Sequence, residues 1–236
     1  MTKEPQKILL FGGTGSIGSS IRAEFLSHGW EVISVTRNNP PGSDQIKWDV
    51  LNENPKDALL TLKAKGPFDA VCWAQGQNGS DSIYSFDETF HQSMYDANVI
   101  YILKSLHYLL SNALLNSSAK LCVISSIRQT IARQNKLSYS VTKAAIQGLV
   151  LSLANDLAKE GHLINAVLPG VIDTPMTHEN LTQLQIDNVK KSTQFNKLPK
   201  LEDIAHTVYF LCSKENTGTT GQFIKVDLGY SDVRIV

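Results

Sequence analysis

At 236 residues, with 22 basic side chains balanced by 22 acidic ones, the chain is long enough for one large α/β domain. It carries no net field that would recruit nucleic acid or an anionic membrane. The polar start MTKEPQ and the short apolar run Ile8 to Phe11 make neither a signal h-region nor a membrane span, so a cytoplasmic protein is expected. Cys72, Cys122 and Cys212 are widely spaced in apolar surroundings and read as buried free thiols of a reducing compartment; no histidine pairs with them at ligand spacing, so no metal site is expected.

In chain order, short apolar runs alternate with longer amphipathic stretches, the pattern of βαβ units. Strands are predicted at 7–11, 31–35, 45–50, 68–73, 120–125, 164–168 and 222–227, with helices at about 17–28, 55–65, 87–112, 139–160, 179–191 and 202–213. Runs such as ILLF and AVCW are apolar throughout, as expected of strands covered on both faces. Turn residues at 38–43 and 66–67 punctuate the pattern, and no repeat or linker interrupts it. Residues 1–236 therefore predict a single doubly wound α/β domain with a mostly parallel, seven-stranded sheet.

The first strand leads directly into Gly12-Gly13-Thr14-Gly15-Ser16-Ile17-Gly18 and then a helical stretch. Glycines at such a junction let the backbone turn tightly and approach a pyrophosphate, which the free N–H groups of the next helix receive. The second strand ends at Thr36-Arg37, where a unit of this kind meets the adenosine ribose. An NAD site usually places a carboxylate there; a guanidinium instead suits a 2′-phosphate, so NADPH is expected over NADH.

The run from Ser126 to Lys143 reads Ser-x12-Tyr-x3-Lys and lies between an apolar strand and a long helix. Tyr139 and Lys143, four apart at helical spacing, project from one face, and of the seven tyrosines only Tyr139 has lysine at that distance. Any amphipathic helix can show this spacing. The chemistry gives it interest: a nearby ammonium is expected to lower the pKa of the phenol and make it a proton donor near neutrality, with Ser126 positioned to hydrogen-bond a substrate oxygen.

Together the glycine loop and Ser126, Tyr139 and Lys143 resemble the short-chain dehydrogenase/reductase family in its short, single-domain branch, over essentially the whole chain. The segment Asn165 to Met176, with its Pro169-Gly170 turn and Thr174, and the stretches Gly221-Gln222 and Asp227-Leu228-Gly229 match the family in order. The resemblance implies a Rossmann-type fold and a nicotinamide cofactor. It implies cofactor contacts at Gly12, Thr14, Gly15, Ser16, Ile17 and Gly18, at Arg37, Asp49 and Val50, at Gln75 and Gly76, at Tyr139 and Lys143, and at Pro169, Gly170, Ile172 and Thr174. It also implies that Tyr139 is the acid/base, that Ser126 orients the carbonyl, that Lys143 holds the nicotinamide ribose, and that Asn98 anchors a proton-relaying water. Two departures stand out. Ser16 replaces the short branch's middle glycine, and Trp73-Ala74-Gln75-Gly76 replaces an Asn-Asn-Ala-Gly whose asparagines brace the sheet, leaving Gln75 or a water as the expected substitute.

At the substrate end, residues 126–137 hold Arg128, Arg133 and Lys136 without an acid, and 177–200 are expected to form a lid that includes Lys190, Lys191, Lys197 and Lys200. These basic loops raise an anionic or carrier-linked carbonyl substrate, against a simple solvated surface. Gln77, Asn78, Ser80 and Asp81 are further candidates for the rim, whereas His91, His107, His178 and His206 read as packing or surface residues. The leading expectation is an NADPH-dependent carbonyl reductase or alcohol dehydrogenase. An epimerase or dehydratase of the same family, and a non-catalytic NADP-binding regulatory or scaffold protein, are the alternatives. From the family, a homodimer or homotetramer is expected, built on the helices near 87–112 and 139–160.

Overall fold

Alternation along the strands decides the layers. In the computed structural model, which describes residues 4–37, 42–52 and 54–233, seven strands form one sheet: β1 Lys7–Phe11, β2 Glu31–Thr36, β3 Gln45–Lys47, β4 Phe68–Trp73, β5 Leu115–Ile124, β6 Leu163–Pro169 and β7 Phe223–Val226. Their order is β3-β2-β1-β4-β5-β6-β7 and every pairing is parallel, so the mostly parallel sheet expected from sequence is parallel throughout. The order reverses between β1 and β4, and this is where an open α/β sheet leaves a crevice at the carboxyl ends of its strands.

The helices are α1 Ser16–Ser27, α2 Lys56–Lys65, α3 Glu88–Tyr95, α4 Tyr101–Ser111, α5 Leu137–Asp156, α6 Pro175–Asn180, α7 Gln183–Lys191 and α8 Leu201–Cys212. Leu9, Phe11, Val71, Trp73, Leu121 and Val123 turn toward α2, α4 and α5, whose Leu62, Leu106 and Ile146 complete one core. Their neighbours Ile8, Leu10, Ala70, Cys72 and Cys122 turn the other way, onto Ile21 and Phe25 of α1 and Ile204 and Val208 of α8. The apolar runs thus fill two cores, one on each face. All three cysteines are buried and free.

Four differences from the sequence expectations have physical causes. β3 ends at Lys47 because Asp49 turns the chain, accepting the Leu51 N–H at 3.2 Å. β5 begins five residues early and reaches its main register across an irregularity, with Phe68 paired to Leu115 and Ala70 to Lys120. The helix expected over 87–112 is broken by a π turn, Asp96–Ile100, between α3 and α4. The helix expected over 179–191 is two: Thr174 caps α6, and Thr182 opens α7 in a capping box with Gln185. Residues 38–41 of the predicted turn lie outside the described residues. Among those described, no helix is long and apolar enough to cross a membrane.

Candidate active site

A cleft of about 970 Å³ opens over the carboxyl ends of β1, β4 and β5. It is lined by the glycine loop, by Arg37 and Asp49, by Gln75 and Gly76, by Ser126, Tyr139 and Lys143, and by Pro169, Gly170, Ile172 and Thr174. Sequence positions more than 150 residues apart are gathered because each sits at, or just beyond, the end of a strand or the start of a helix. Two expected residues are not on this wall. The Val50 side chain packs into the core with Trp48, 1 % exposed, which leaves its backbone as the part that could meet a cofactor. Asn98, 1 % exposed, lies beneath the wall.

The glycine loop is shaped for close approach. Gly12 has φ +81°, and a Cβ there would lie 2.6 Å from the Gln75 nitrogen; one on Gly18 would lie 2.1 Å from the Gly12 oxygen. A Cβ on Gly15 meets nothing nearer than 3.6 Å, so at this position the loop faces open space. Gly15 is the N-cap of α1 and offers no side chain to its first-turn N–H groups, leaving donors for an anionic ligand. At the end of β2, Arg37 is exposed. Burial opposes ionisation of neighbouring Asp49, but Asn52, two backbone N–H groups and the Arg37 charge outweigh it and hold the carboxyl below its ordinary value. Gln75 borders the cleft with both amide atoms buried and without a partner among the described residues. The arrangement fits a dinucleotide: an open glycine turn at a helix start for the pyrophosphate, and an unsatisfied amide beside it.

Tyr139 and Lys143 occupy the first two turns of α5. The Lys143 ammonium donates to the Ile124 carbonyl at 3.1 Å and stands 5.6 Å from the centre of the Tyr139 ring. Burial pulls its pKa down to about 8. The phenol of Tyr139 stands above its ordinary value, chiefly because burial penalises the phenolate, although a Ser126 hydrogen bond and the Arg128 charge both act the other way. The sequence expectation that Lys143 lowers this group is therefore reversed in direction. Desolvation wins, and the cation acting against it is Arg128. Ser126 caps a short 3₁₀ turn, accepting the Arg128 N–H at 3.2 Å.

The brace under the site also differs from expectation. Gln75 does not replace the family asparagine. Instead the Trp73 indole donates to Ser105 of α4 at 2.9 Å and its ring stacks on Phe11, 5.8 Å between centres. Asn98, in the π turn, grips the Gln77 backbone at both ends, accepting its N–H at 2.8 Å and donating to its carbonyl at 3.0 Å, while also donating to Thr142 at 3.0 Å. Asn98 thereby ties the β4 loop to the helix that carries Tyr139.

A second tie lies one residue from Tyr139. α5 has no local side-chain cap. The buried Asp81 supplies one from 57 residues away, accepting the Ser138 N–H at 3.0 Å and the Ser138 hydroxyl. With its proton given to Asp81, the Ser138 oxygen accepts from His91 Nδ1 at 2.8 Å. Asp81 thus points into this buried pair rather than bordering the opening, and His91 has a partner that its sequence neighbourhood does not reveal. Gln77, Asn78 and Ser80 do line the cleft. Of the expected lid, Thr177, Asn180 and Leu181 line it, while Lys190, Lys191, Lys197 and Lys200 do not.

Residues 12–231 match the family model described as enoyl-(acyl carrier protein) reductase. The uncharacterized oxidoreductase YmfI of Bacillus subtilis (strain 168) is 25% identical over 94% of this chain and 97% of its own length. The 2-keto-3-deoxy-L-fuconate dehydrogenase of Xanthomonas campestris pv. campestris is 31% identical over 80% of this chain and 66% of its own. Among solved structures, a short chain dehydrogenase family protein from Francisella tularensis superposes with a TM-score of 0.84 at 27% identity, covering 97% of this chain and 99% of that one. With the sheet order, the glycine loop and the cleft residues already in place, these matches show that the chain belongs to the short-chain dehydrogenase/reductase family of NAD(P)-dependent oxidoreductases.

Proposed function

We propose that the protein is an NADPH-dependent reductase, or dehydrogenase in reverse, acting on a carbonyl/alcohol pair with Tyr139 as its acid/base. The observation that carries this reading is the convergence of Tyr139, Lys143 and Ser126 on one cleft with the open glycine loop. The glycine loop and the start of α1 hold the pyrophosphate, Arg37 the 2′-phosphate, and Lys143 the nicotinamide ribose. When bound, the cofactor supplies hydride to the carbonyl carbon. Tyr139, kept protonated near neutrality by burial, donates its proton to the carbonyl oxygen. Ser126 hydrogen-bonds that oxygen, and Lys143 and Arg128 offset the charge left on the phenolate.

The substrate is proposed to be anionic, as free acid or carrier-linked, since Arg128, Arg133 and Lys136 all face the cleft; the Xanthomonas relative is named for a keto acid. Leu103 and Leu110 of α4 and Val141 and Leu151 of α5 are exposed, which supports pairing of subunits as a homodimer or homotetramer. Three free buried thiols support a reducing, cytoplasmic setting.

Two variants test the reading. Tyr139→Phe should abolish NADPH oxidation with a ketone panel while NADPH still binds; near-normal turnover sinks the acid/base role. Arg37→Asp should shift preference from NADPH toward NADH by tenfold or more, the scale of a single charge-assisted hydrogen bond. An unchanged ratio of kcat/KM for the two cofactors rules out the 2′-phosphate role of Arg37.

A further inference from the structure

The two ends of the cleft differ in charge. Its one carboxylate among the lining residues, Asp49, stands with Arg37 where β2 and β3 end, while Arg128, Arg133, Lys136 and Lys143 line the wall around Tyr139 without an acid. Lys143 is engaged with the Ile124 carbonyl. Lys136 lies 5.8 Å from the centre of the Tyr139 ring and is held by Asn78 at 2.9 Å and by the Gly79 carbonyl at 2.8 Å.

Neither arginine has such an anchor. Among the described residues, the side chain of Arg128 makes one hydrogen bond, a long one of 3.5 Å to the Ile131 carbonyl. Among the same residues neither Arg128 nor Arg133 has a carboxylate within ion-pair distance. The three cations of this loop repel one another: after burial, the charges of Arg133 and Arg128 are the next causes that hold Lys136 below its ordinary value. The acid whose charge is felt at Lys136, Asp81, accepts the Ser138 N–H and hydroxyl and does not line the cleft. Three cations without an ion pair among the described residues, gathered on one wall of a cleft, are stabilised by an anion placed between them, and a guanidinium pair offers forked donors that suit a carboxylate or a phosphate.

Resting on the reductase reading above, we propose that Arg128 and Arg133, with Lys136, form an anion subsite for a small substrate, a short oxo acid or phosphorylated ketone, whose charged group lies within a few atoms of the carbonyl. The closeness follows from the loop: the Arg128 backbone N–H donates to the Ser126 hydroxyl at 3.2 Å and Lys136 stands 5.8 Å from the centre of the Tyr139 ring, so an anion held by these side chains lies beside the group that protonates the carbonyl. A carrier-linked substrate would instead be read by charge outside the cleft, where half-buried Lys190 and exposed Lys191, Lys197 and Lys200 are placed.

The test uses pairs of ketones that differ only in charge, 4-oxopentanoate against its methyl ester and dihydroxyacetone phosphate against dihydroxyacetone. They are titrated calorimetrically into NADPH-loaded Tyr139→Phe protein and assayed for turnover with the native enzyme. At least one anion should bind tenfold to a hundredfold more tightly than its neutral partner, roughly the range of one charge-assisted hydrogen bond. The preference should weaken as ionic strength rises and collapse to near unity in Arg128→Gln/Arg133→Gln protein. Ratios near one for both pairs, or no binding of either member, overturn the subsite while leaving NADPH binding intact. Turnover confined to carrier-linked oxoacyl substrates, abolished by substituting the four lid lysines, also overturns it. Failure to bind NADPH at all overturns the oxidoreductase reading itself.

Discussion

Replacing Lys143 with methionine should make the resting protein more stable while destroying its activity. Lys143 is 4 % exposed and among the described residues its side chain makes a single hydrogen bond, to Ile124, and burial lowers its pKa from 10.5 to about 8. At roughly 1.4 kcal/mol for each tenfold change in proton affinity, that drop means the fold bears a cost of about 3 kcal/mol for holding the ammonium. A methionine of similar length removes the cost and forgoes one hydrogen bond, about 1 kcal/mol, for a net gain of about 2 kcal/mol. The sign follows from proton counting. Below pH 8 both folded and unfolded chains carry the charge and the cost is fully present. Between 8 and 10.5 the unfolded chain binds the extra proton, so native stability rises with pH and the advantage of Lys143→Met fades. Urea unfolding of the cofactor-free protein at pH 7 and pH 10 reads this directly. A variant that is less stable than the native chain at pH 7, or whose difference does not change with pH, refutes the idea that the buried Lys143 is held at the expense of the fold.

Two further predictions concern the braces beneath the site. Trp73→Phe removes the indole bond to Ser105 and part of a fully buried ring; it should cost about 2 kcal/mol. In a thermal melt that is a drop of roughly 4–8 °C, and an unchanged melting temperature removes Trp73 from the role of brace. Asp81→Ala leaves the N-terminus of α5 uncapped and the buried Ser138 N–H without its acceptor. It should cost about 2 kcal/mol and lower kcat more than it weakens NADPH binding, because the glycine loop is untouched; equal reductions in both would show a merely structural role.

The parts of the fold legible in the sequence are those written locally. β1, β4 and β6 lie within a residue or two of their expected places because apolar runs bounded by polar or turn residues specify a covered strand. The glycine loop is legible because Gly12 and Gly18 have neighbours that no Cβ could share. The features that escape such reading depend on distant partners. Nothing near His91 announces Ser138, 47 residues on, and nothing near Trp73 announces Ser105, 32 residues on. The direction of the Tyr139 shift escapes for the same reason: spacing reveals a neighbouring charge, whereas desolvation comes from everything packed around the ring. The π turn, too, leaves no signature in a pattern of helical spacing.

That turn takes up one residue more than an ordinary helical turn between α3 and α4. Ahead of it, His91 reaches α5; within it, Asn98 grips Gln77; behind it, Ser105 receives the Trp73 indole and Tyr101 meets the edge of Phe11, 5.7 Å between ring centres. Dropping one residue inside the turn would close it to an ordinary helix with α3 and α4 still in phase, at the expense of the aim of Asn98 alone. Dropping one from α3 or α4 instead would rotate the helix beyond it by about 100° and turn His91 or Ser105 away from its partner. A change of length is therefore absorbed within the π turn and not in the helices on either side of it.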